Sequence, residues 1–513
     1  MKGRKDKIRK MIFWRPDVRL VAVISVIMLA LLLVPLVRMA FYSAPWYDDY
    51  NYGGFVKSFL SEEHSLKSAL KGAVYCMKTQ WHAWQGTFSS IFFMAFVPVV
   101  WGEEYYFWGP LFLIGILTIA VFVFVKALTR NVLQADGASG TILASGVTAM
   151  VVVMIHHAQR GFYWYNSGIH YIGMHACLLL LIAAWVKLLS GTGKLSSVLL
   201  IVWTLLGAVL AGGANYVASL QGLLVGLSIL ALEGVVLRRK RVCLMLPSVL
   251  VYGIAFYMNV SAPGNDVRGA IYRDCGMTTD VVSAVLNSFL EAFRYMKTFN
   301  WQMTLAVMVL LGPIMWRIVK NSKCRFRFPG ILLAWSICLY ATGFTSSLYV
   351  TGAVALARVV NAIKITYQIL LVVNEIYWLG WICKKLEQRK NREETGTDSK
   401  SVPFVFFVAM GMLMLGIFAM DSRKEENYSS WAAYHYVHTG EANEFHRQYE
   451  ERVEAIKNGG DVVRVEPYVF RPWILATVDL SDDPNDEGNA AMAKWYNKQA
   501  IICTHQETDE AKN

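Results

Sequence analysis

Asp48 and Asp49 stand side by side in the aromatic stretch SAPWYDDYNYG, directly after an apolar run from Val18 to Ala40. Paired carboxylates at a membrane surface suit two chemistries. One is general-base removal of a proton from an acceptor hydroxyl; the other is oxygen ligation of a divalent cation. The structural alternative is a helix cap or turn, which the turn formers of YDDYNYGG would equally supply. Trp46, Tyr47, Tyr50 and Tyr52 around the pair suit an interfacial belt or stacking against sugar rings.

Four further segments carry groups that such chemistry needs. TQWHAWQGTFSS (79–90) places Trp81, His82 and Trp84 before a short apolar stretch, as a surface groove or as the anchor of a re-entrant helix. HHAQRGFYWYNSGIHY (156–171) gathers His156, His157, Arg160, Tyr163, Tyr165, Asn166 and His170 at one span end, as a polar substrate pocket or an interfacial belt. Its histidines, taken with His175, lack helical metal-pair spacing apart from distant combinations, so no metal is assigned to them. NVSAPGNDVRG (259–269) turns at Pro263-Gly264 and projects Asn265, Asp266 and Arg268, and the planar forks of Arg268 and Arg273 suit phosphate oxygens. Arg358, Asn361 and Lys364 enter an apolar run together, with 358 and 361 on one helix face. A cation at the centre of a span costs about 2.5–3.5 kcal/mol, so two cations and an amide point to an anionic partner such as a lipid phosphate.

The elements that position these groups are membrane helices. Hydrophobic residues make up 55% of the chain, mean hydropathy is +0.38, and the alternation of a membrane β-barrel is absent. The chain is therefore an all-α polytopic membrane protein. About eleven spans are expected, near 18–40, 105–127, 140–156, 171–189, 195–212, 217–236, 242–259, 300–320, 329–346, 361–383 and 402–420. The first is too long for a cleaved signal peptide. Run 87–101 is taken as interfacial or re-entrant, because counting it as a span would turn every later basic loop outward. Without it, the N-terminal head (Lys2 to Lys10), Lys126/Arg130, Lys187/Lys194, Arg238 to Arg241, Arg317 to Arg327 and Lys384 to Arg392 are all cytoplasmic.

Segments 41–104, with its interfacial helices, 157–170, 260–299 and 347–360 then face outward. So does a small C-terminal extracytoplasmic region, 421–513, which follows a transmembrane domain at 1–420. The C-terminal region is expected to be helical over Ser430–Lys457 and Ala490–Ile501 and extended near Val462–Val469. Stretch 384–400 reads as a charged, solvated linker. The net charge of +12 is scattered through short loops beside an anionic leaflet, which excludes a nucleic-acid partner. Eight cysteines show no CxxC spacing, and of the outward Cys76, Cys275 and Cys503 a Cys76–Cys275 bridge stays open.

All five polar segments fall on one side. A carboxylate base, cations for a departing phosphate and aromatics for sugar rings fit glycosyl transfer from a polyprenyl-phosphate-linked donor to a cell-surface glycan or lipid acceptor. The chain resembles the GT-C superfamily of membrane glycosyltransferases through DDY at 48–50, YWYNSGIHY at 163–171, APGNDVR at 262–268 and its polar C-terminal region. Within that superfamily it is similar to a poorly characterised bacterial family, related in layout to the serotype-converting O-antigen glucosyltransferases. The resemblance implies a GT-C-like bundle and an inverting transferase whose catalytic aspartate lies in the first outer loop, here Asp48 or Asp49. Relatives often carry Gly-Arg before the short helix; this chain has Gly86-Thr87, which leaves phosphate binding to Arg268 or Arg358.

The expected substrate-binding set is Tyr50, His82, Arg160, Tyr163, Tyr165, Asn166, His170, Asn265, Arg268, Arg358, Asn361 and Lys364. A divalent cation at Asp48/Asp49 is the one cofactor considered, and a bacterial plasma membrane is the expected location. A transporter or flippase of lipid-linked sugars is the rival, although its mid-membrane polar residues reduce mainly to Asn374 and Glu375. A polysaccharide polymerase or ligase, with its chemistry in loop 260–299, is the third reading.

Overall fold

The computed structural model describes residues 16–504 except 192, 277–279, 354–355, 391–402, 422–423, 425–426 and 476–477. The basic head and most of the charged linker lie outside the described residues. Helix starts follow from capping side chains. Asp17 accepts the Arg19 N–H ahead of α1 (Val18–Ala40). After α2 (Asp48–Glu62), Ser65 caps α3 (Leu66–Ala83) through the Ser68 N–H. After α4 (Phe88–Ala95) and α5 (Trp108–Ala127), Asp136 caps α6 (Gly137–Val153) through the Ser139 N–H. Next come α7 (Tyr165–Ser190), α8 (Lys194–Gly212) and α9 (Tyr216–Val236). A bent pair follows, α10 (Leu246–Val260) and α11 (Pro263–Asp274), and then α12 (Val281–Thr298), capped by Asp280. The long helices α13 (Trp301–Asn321), α14 (Pro329–Thr351), α15 (Ala357–Lys390) and α16 (Phe404–Asp421) complete the bundle.

Among the described residues nine helices are long and apolar enough to cross a membrane, and ten if α10 and α11, bent by 45°, form one span. The chain is thus a multi-pass membrane protein. The count of about eleven differs at two helices. The expected span 140–156 is the 17-residue α6, and 242–259 is the 15-residue α10, both short of the roughly 20 residues a bilayer core needs. Run 87–101 is the 8-residue α4 followed by a short turn of helix. At about 12 Å, α4 cannot cross.

Contacts gather 41–107, 154–164, 261–300 and the C-terminal region at one end of the bundle, through Asp48 with Arg358, His157 with Asn361, Gln85 with Arg268 and Lys57 with Trp495; we call it the aspartate end. The burial of the spans differs sharply. In α15, 83% of the apolar window is buried, against 17% in α1 and 6% in α16. The axial pillar of the bundle therefore carries Arg358, Asn361 and Lys364 at its head, while α1 and α16 form its edge.

The C-terminal region docks on the bundle as α17 (Ser429–His438), α18 (Glu441–Asn458), β1 (Val462–Val465), α19 (Glu487–Trp495) and β2 (Ala500–Cys503). Three expectations change here. The helix expected over 430–457 breaks at Gly440, whose φ of +84° suits glycine alone. The helix expected over 490–501 ends at Trp495, and residues 500–503 instead pair in parallel with β1. The extended piece stops at Val465. Among the described residues all eight cysteines are free, which overturns the Cys76–Cys275 bridge: Cys76 is buried in α3 and Cys275 is exposed.

Ser430 Oγ donates to the Leu32 carbonyl and Ser429 Oγ to that of Val152, so α17 is fixed to α1 and α6. The core of the region holds a buried ion pair, Arg452 with Asp479 at 2.6 Å, under a Tyr468 ring centred 3.5 Å from the guanidinium. Asp479→Ala leaves that cation buried and unpaired. It should cost about 3–5 kcal/mol and release the C-terminal region to limited proteolysis, while Arg452→Met/Asp479→Leu should be cut much more slowly.

Candidate functional site

Asp48 and Asp49 open α2, and neighbouring residues at a helix start point about 100° apart. The structure gives them different surroundings. Asp49 is fully buried. Its Oδ2 accepts the Trp46 N–H (3.0 Å) and the Tyr106 hydroxyl (2.6 Å), and its Oδ1 accepts the Asn166 N–H (2.9 Å). Asp48 is one-fifth exposed, and its carboxylate lies 3.8 Å from Arg358 Nη1. Burial pushes both carboxyls up, Asp48 to about 6 and Asp49 to about 7. Arg358 opposes the shift at Asp48, and the three hydrogen bonds oppose it at Asp49. The structural reading, as a turn and scaffold residue, therefore describes Asp49, while Asp48 is left for other work.

The turn that separates the two side chains is strained. Tyr47, just before α2, has φ +42°, a conformation that bulky residues rarely hold outside functional sites. Its ring packs on Trp46 and Trp164. The Trp164 ring also lies 5.4 Å from the Arg358 guanidinium, a cation–π contact that aims the fork toward Asp48.

The 156–171 segment is chiefly scaffold. Asn166 Nδ2 donates to the Asp48 carbonyl (2.6 Å). Tyr165 gives its N–H to the Tyr106 hydroxyl and its own hydroxyl to the Phe93 carbonyl. The Tyr163 hydroxyl reaches the Leu36 carbonyl. A widened helical turn at Ile169–Gly173 follows, a feature common at functional sites. Asn361 clamps the His157 backbone from both sides, at 2.9 Å each way, which joins the head of α15 to this loop. Burial drives His156 down to about 3 and His157 to about 4, so both are neutral near pH 7. Arg160 is held below its usual range first by burial and then by Arg358.

Arg268 approaches from α11. Its Nη1 donates to Gln85 Oε1 (2.8 Å), and its guanidinium lies 5.3 Å from the Trp84 ring. The charges of Arg268 and Arg358 both reach His170 and, with that of Asp48, the buried Tyr52. Direct contacts thus draw together Asp48, Asp49, Trp164, Asn166 and Arg358, while Arg160 and His170 stand within electrostatic reach of Arg358, and His170 also of Arg268. Among the described residues, Arg358 Nε, Arg268 Nε, Trp164 Nε1 and Asn166 Oδ1 are buried without a hydrogen-bond partner, which leaves three donors and one acceptor unspent.

Other expected residues lie elsewhere. Tyr50 packs on Trp495 and Tyr496 of the C-terminal region. Asn265 ties the Gly86 N–H to the carbonyls of Asn259 and Val260. A Cβ on Gly86 would sit 1.8 Å from the Asn259 oxygen, so glycine is obligatory there. The Lys364 ammonium lies 5.5 Å from the Phe299 ring, and His82 is exposed on a separate groove. Tyr106 and Gln85 escaped the sequence reading, Tyr106 as one more aromatic at a span head. No group of three or more His, Cys, Asp or Glu residues able to hold a metal occurs among the described residues. At the pair itself the Asp49 oxygens are already engaged, so a divalent cation finds a poor ligand set.

Beside Arg268 a cavity of about 540 Å³ opens between α9–α12 and α14, lined by Phe256, Val260, Arg273, Ala284 and Tyr349. It is mostly apolar, with Asp266, Arg268 and Arg273 as the charged residues of its lining.

The two aspartates should separate in stability. Asp49→Ala strands the buried Asn166 N–H, at about 1–3 kcal/mol, frees the part-buried Trp46 N–H and leaves the Tyr106 hydroxyl only the Tyr163 carbonyl, and it should lower the melting temperature in detergent by several degrees. Asp48→Ala loses a single 3.8 Å ion contact and should shift it by no more than the equivalent of about 1 kcal/mol. No protein-family model matches the chain, and no curated protein matches it significantly.

Proposed function

We propose that this protein is a membrane glycosyltransferase of GT-C type, moving a sugar from a polyprenyl-phosphate-linked donor to a cell-surface glycan or lipid acceptor. The observation that carries the reading is the division of labour at the head of α2. Asp49 is spent on structure, while Asp48 is part-open, set near 6 and faced by Arg358. A base with that proton affinity is matched to neutral pH.

In this reading the Asp48 carboxylate takes the proton of an acceptor hydroxyl as its oxygen attacks the anomeric carbon. The bond from that carbon to the phosphate oxygen breaks on the opposite face, its electron pair leaving with the phosphate, and the configuration inverts. Arg358 and Arg268, each with a buried Nε lacking a partner among the described residues, stabilise the departing charge. The cavity beside Arg268 and Arg273 would seat the lipid tail. By the positive-inside rule the end bearing Arg238 to Arg241 and Arg317 to Arg327 is cytoplasmic, which turns the aspartate end and the C-terminal region outward from a bacterial plasma membrane.

One observation favours the transporter reading. Asn361, Lys364, Gln368 and Glu375 share a face of α15 and run away from the aspartate end as a polar file.

In proteoliposomes with labelled polyprenyl-phosphate sugars, Asp48→Asn should cut transfer about 10²–10⁴-fold and leave donor binding intact. The wild-type rate should rise with pH through about 6 as Asp48 ionises. Arg358→Ala removes the charge that favours the ionised form, so its limb should move to higher pH. Normal transfer by Asp48→Asn overturns the assignment, and label that only changes leaflets identifies a flippase.

A further inference from the structure

A second cavity, of about 530 Å³, lies between α3, α4, α8 and α10. Phe92, Phe93, Leu210 and Met258 line it, and the exposed Lys78 and His82 stand at its rim. It shares a wall with the first cavity. Phe256 and Val260, four residues apart on α10, face the first, while Met258 between them faces the second. Both cavities sit where α8, α10 and α14 reach the aspartate end. They match in size, and each is mostly apolar with basic side chains in its lining, the first with Asp266 beside its two arginines.

The second cavity is also tied to the site. The Phe93 carbonyl on its wall accepts the Tyr165 hydroxyl (3.1 Å). The Tyr165 N–H donates to Tyr106 (3.0 Å), which in turn donates to Asp49 (2.6 Å). The loop joining α3 to α4, two helices that line the second cavity, holds Arg268 of the first through Gln85. A single apolar binding surface would need no such duplication about one helix.

We infer that the second cavity seats the apolar chain of a phosphate-bearing prenyl lipid that carries the acceptor, with the phosphate at Lys78 and His82. This rests on the transferase reading and makes the acceptor lipid-borne, the two substrates approaching from opposite sides of α10. The pairing is chemical: an ammonium and an imidazole N–H at the rim answer a phosphate, and the aromatic and aliphatic wall answers an isoprenoid chain.

The test is photolabelling of the full chain in phosphatidylglycerol nanodiscs with benzophenone-tagged geranylgeranyl phosphate, with adducts mapped by mass spectrometry. Two labelled sites are expected, one within 256–284 and 345–350, the other within 77–93 and 209–210. Leu210→Trp should reduce the second label at least tenfold and spare the first. Lys78→Ala/His82→Ala, exposed changes that leave the core intact, should weaken the second label about tenfold. Labelling of the first cavity alone overturns the inference. So does equal labelling of the second cavity by phosphate-free geranylgeraniol, which would mark it as an ordinary bilayer contact. The labels are read without turnover, so their loss is distinct from normal transfer by Asp48→Asn, which sinks the transferase reading instead.

Discussion

A carboxylate with no access to water holds this molecule's site together. Asp49 could not be buried alone, and the three donors that surround it come from three places: its own turn, the head of α5 and the head of α7. Each donor fixes a backbone segment relative to the others. The direction of α2, the strained Tyr47 turn and the exposure of Asp48 follow from that knot. Asn166 secures it twice, through its N–H on Asp49 and its amide on the Asp48 carbonyl. The residue beside the knot is then freed from structural duty and presented to Arg358.

Much of the architecture was legible because membrane helices are written in long apolar runs. The run Val18–Ala40 matches α1 at both ends, and run 87–101, set aside as a span because of the basic loops after it, holds the short α4. The misjudged stretches are those where the apolar signal is brief. α6 and α10 are shorter than their runs, and the strand at Ala500–Cys503 forms only because a distant partner at Val462–Val465 receives it. Local propensity cannot register such pairing.

For the site, residue chemistry located the neighbourhood but not the division of roles. Asp48 and Asp49 are equivalent in sequence, and only burial against Tyr106 and Asn166 tells them apart. Tyr163, Tyr165 and Asn265 look like substrate contacts in sequence, yet their polar groups are engaged by backbone. His82 belongs to another groove, since the bend between α3 and α4 is set by Gly86 against α10, a contact 173 residues away in the chain.

The separations within the knot bear on how the protein is made. Asp49 leaves the ribosome 57 residues before Tyr106 and 117 before Asn166, and Arg358 follows some 310 residues after Asp48. Until α5 and α7 are inserted, the carboxylate has only its own turn to hold it, although α3, the next helix in the chain, can already pack on α2. The C-terminal region, whose Trp495 receives Lys57 of α2 at its carbonyl, is the last piece to arrive. A bundle formed before that region docks would therefore leave α2 without this brace.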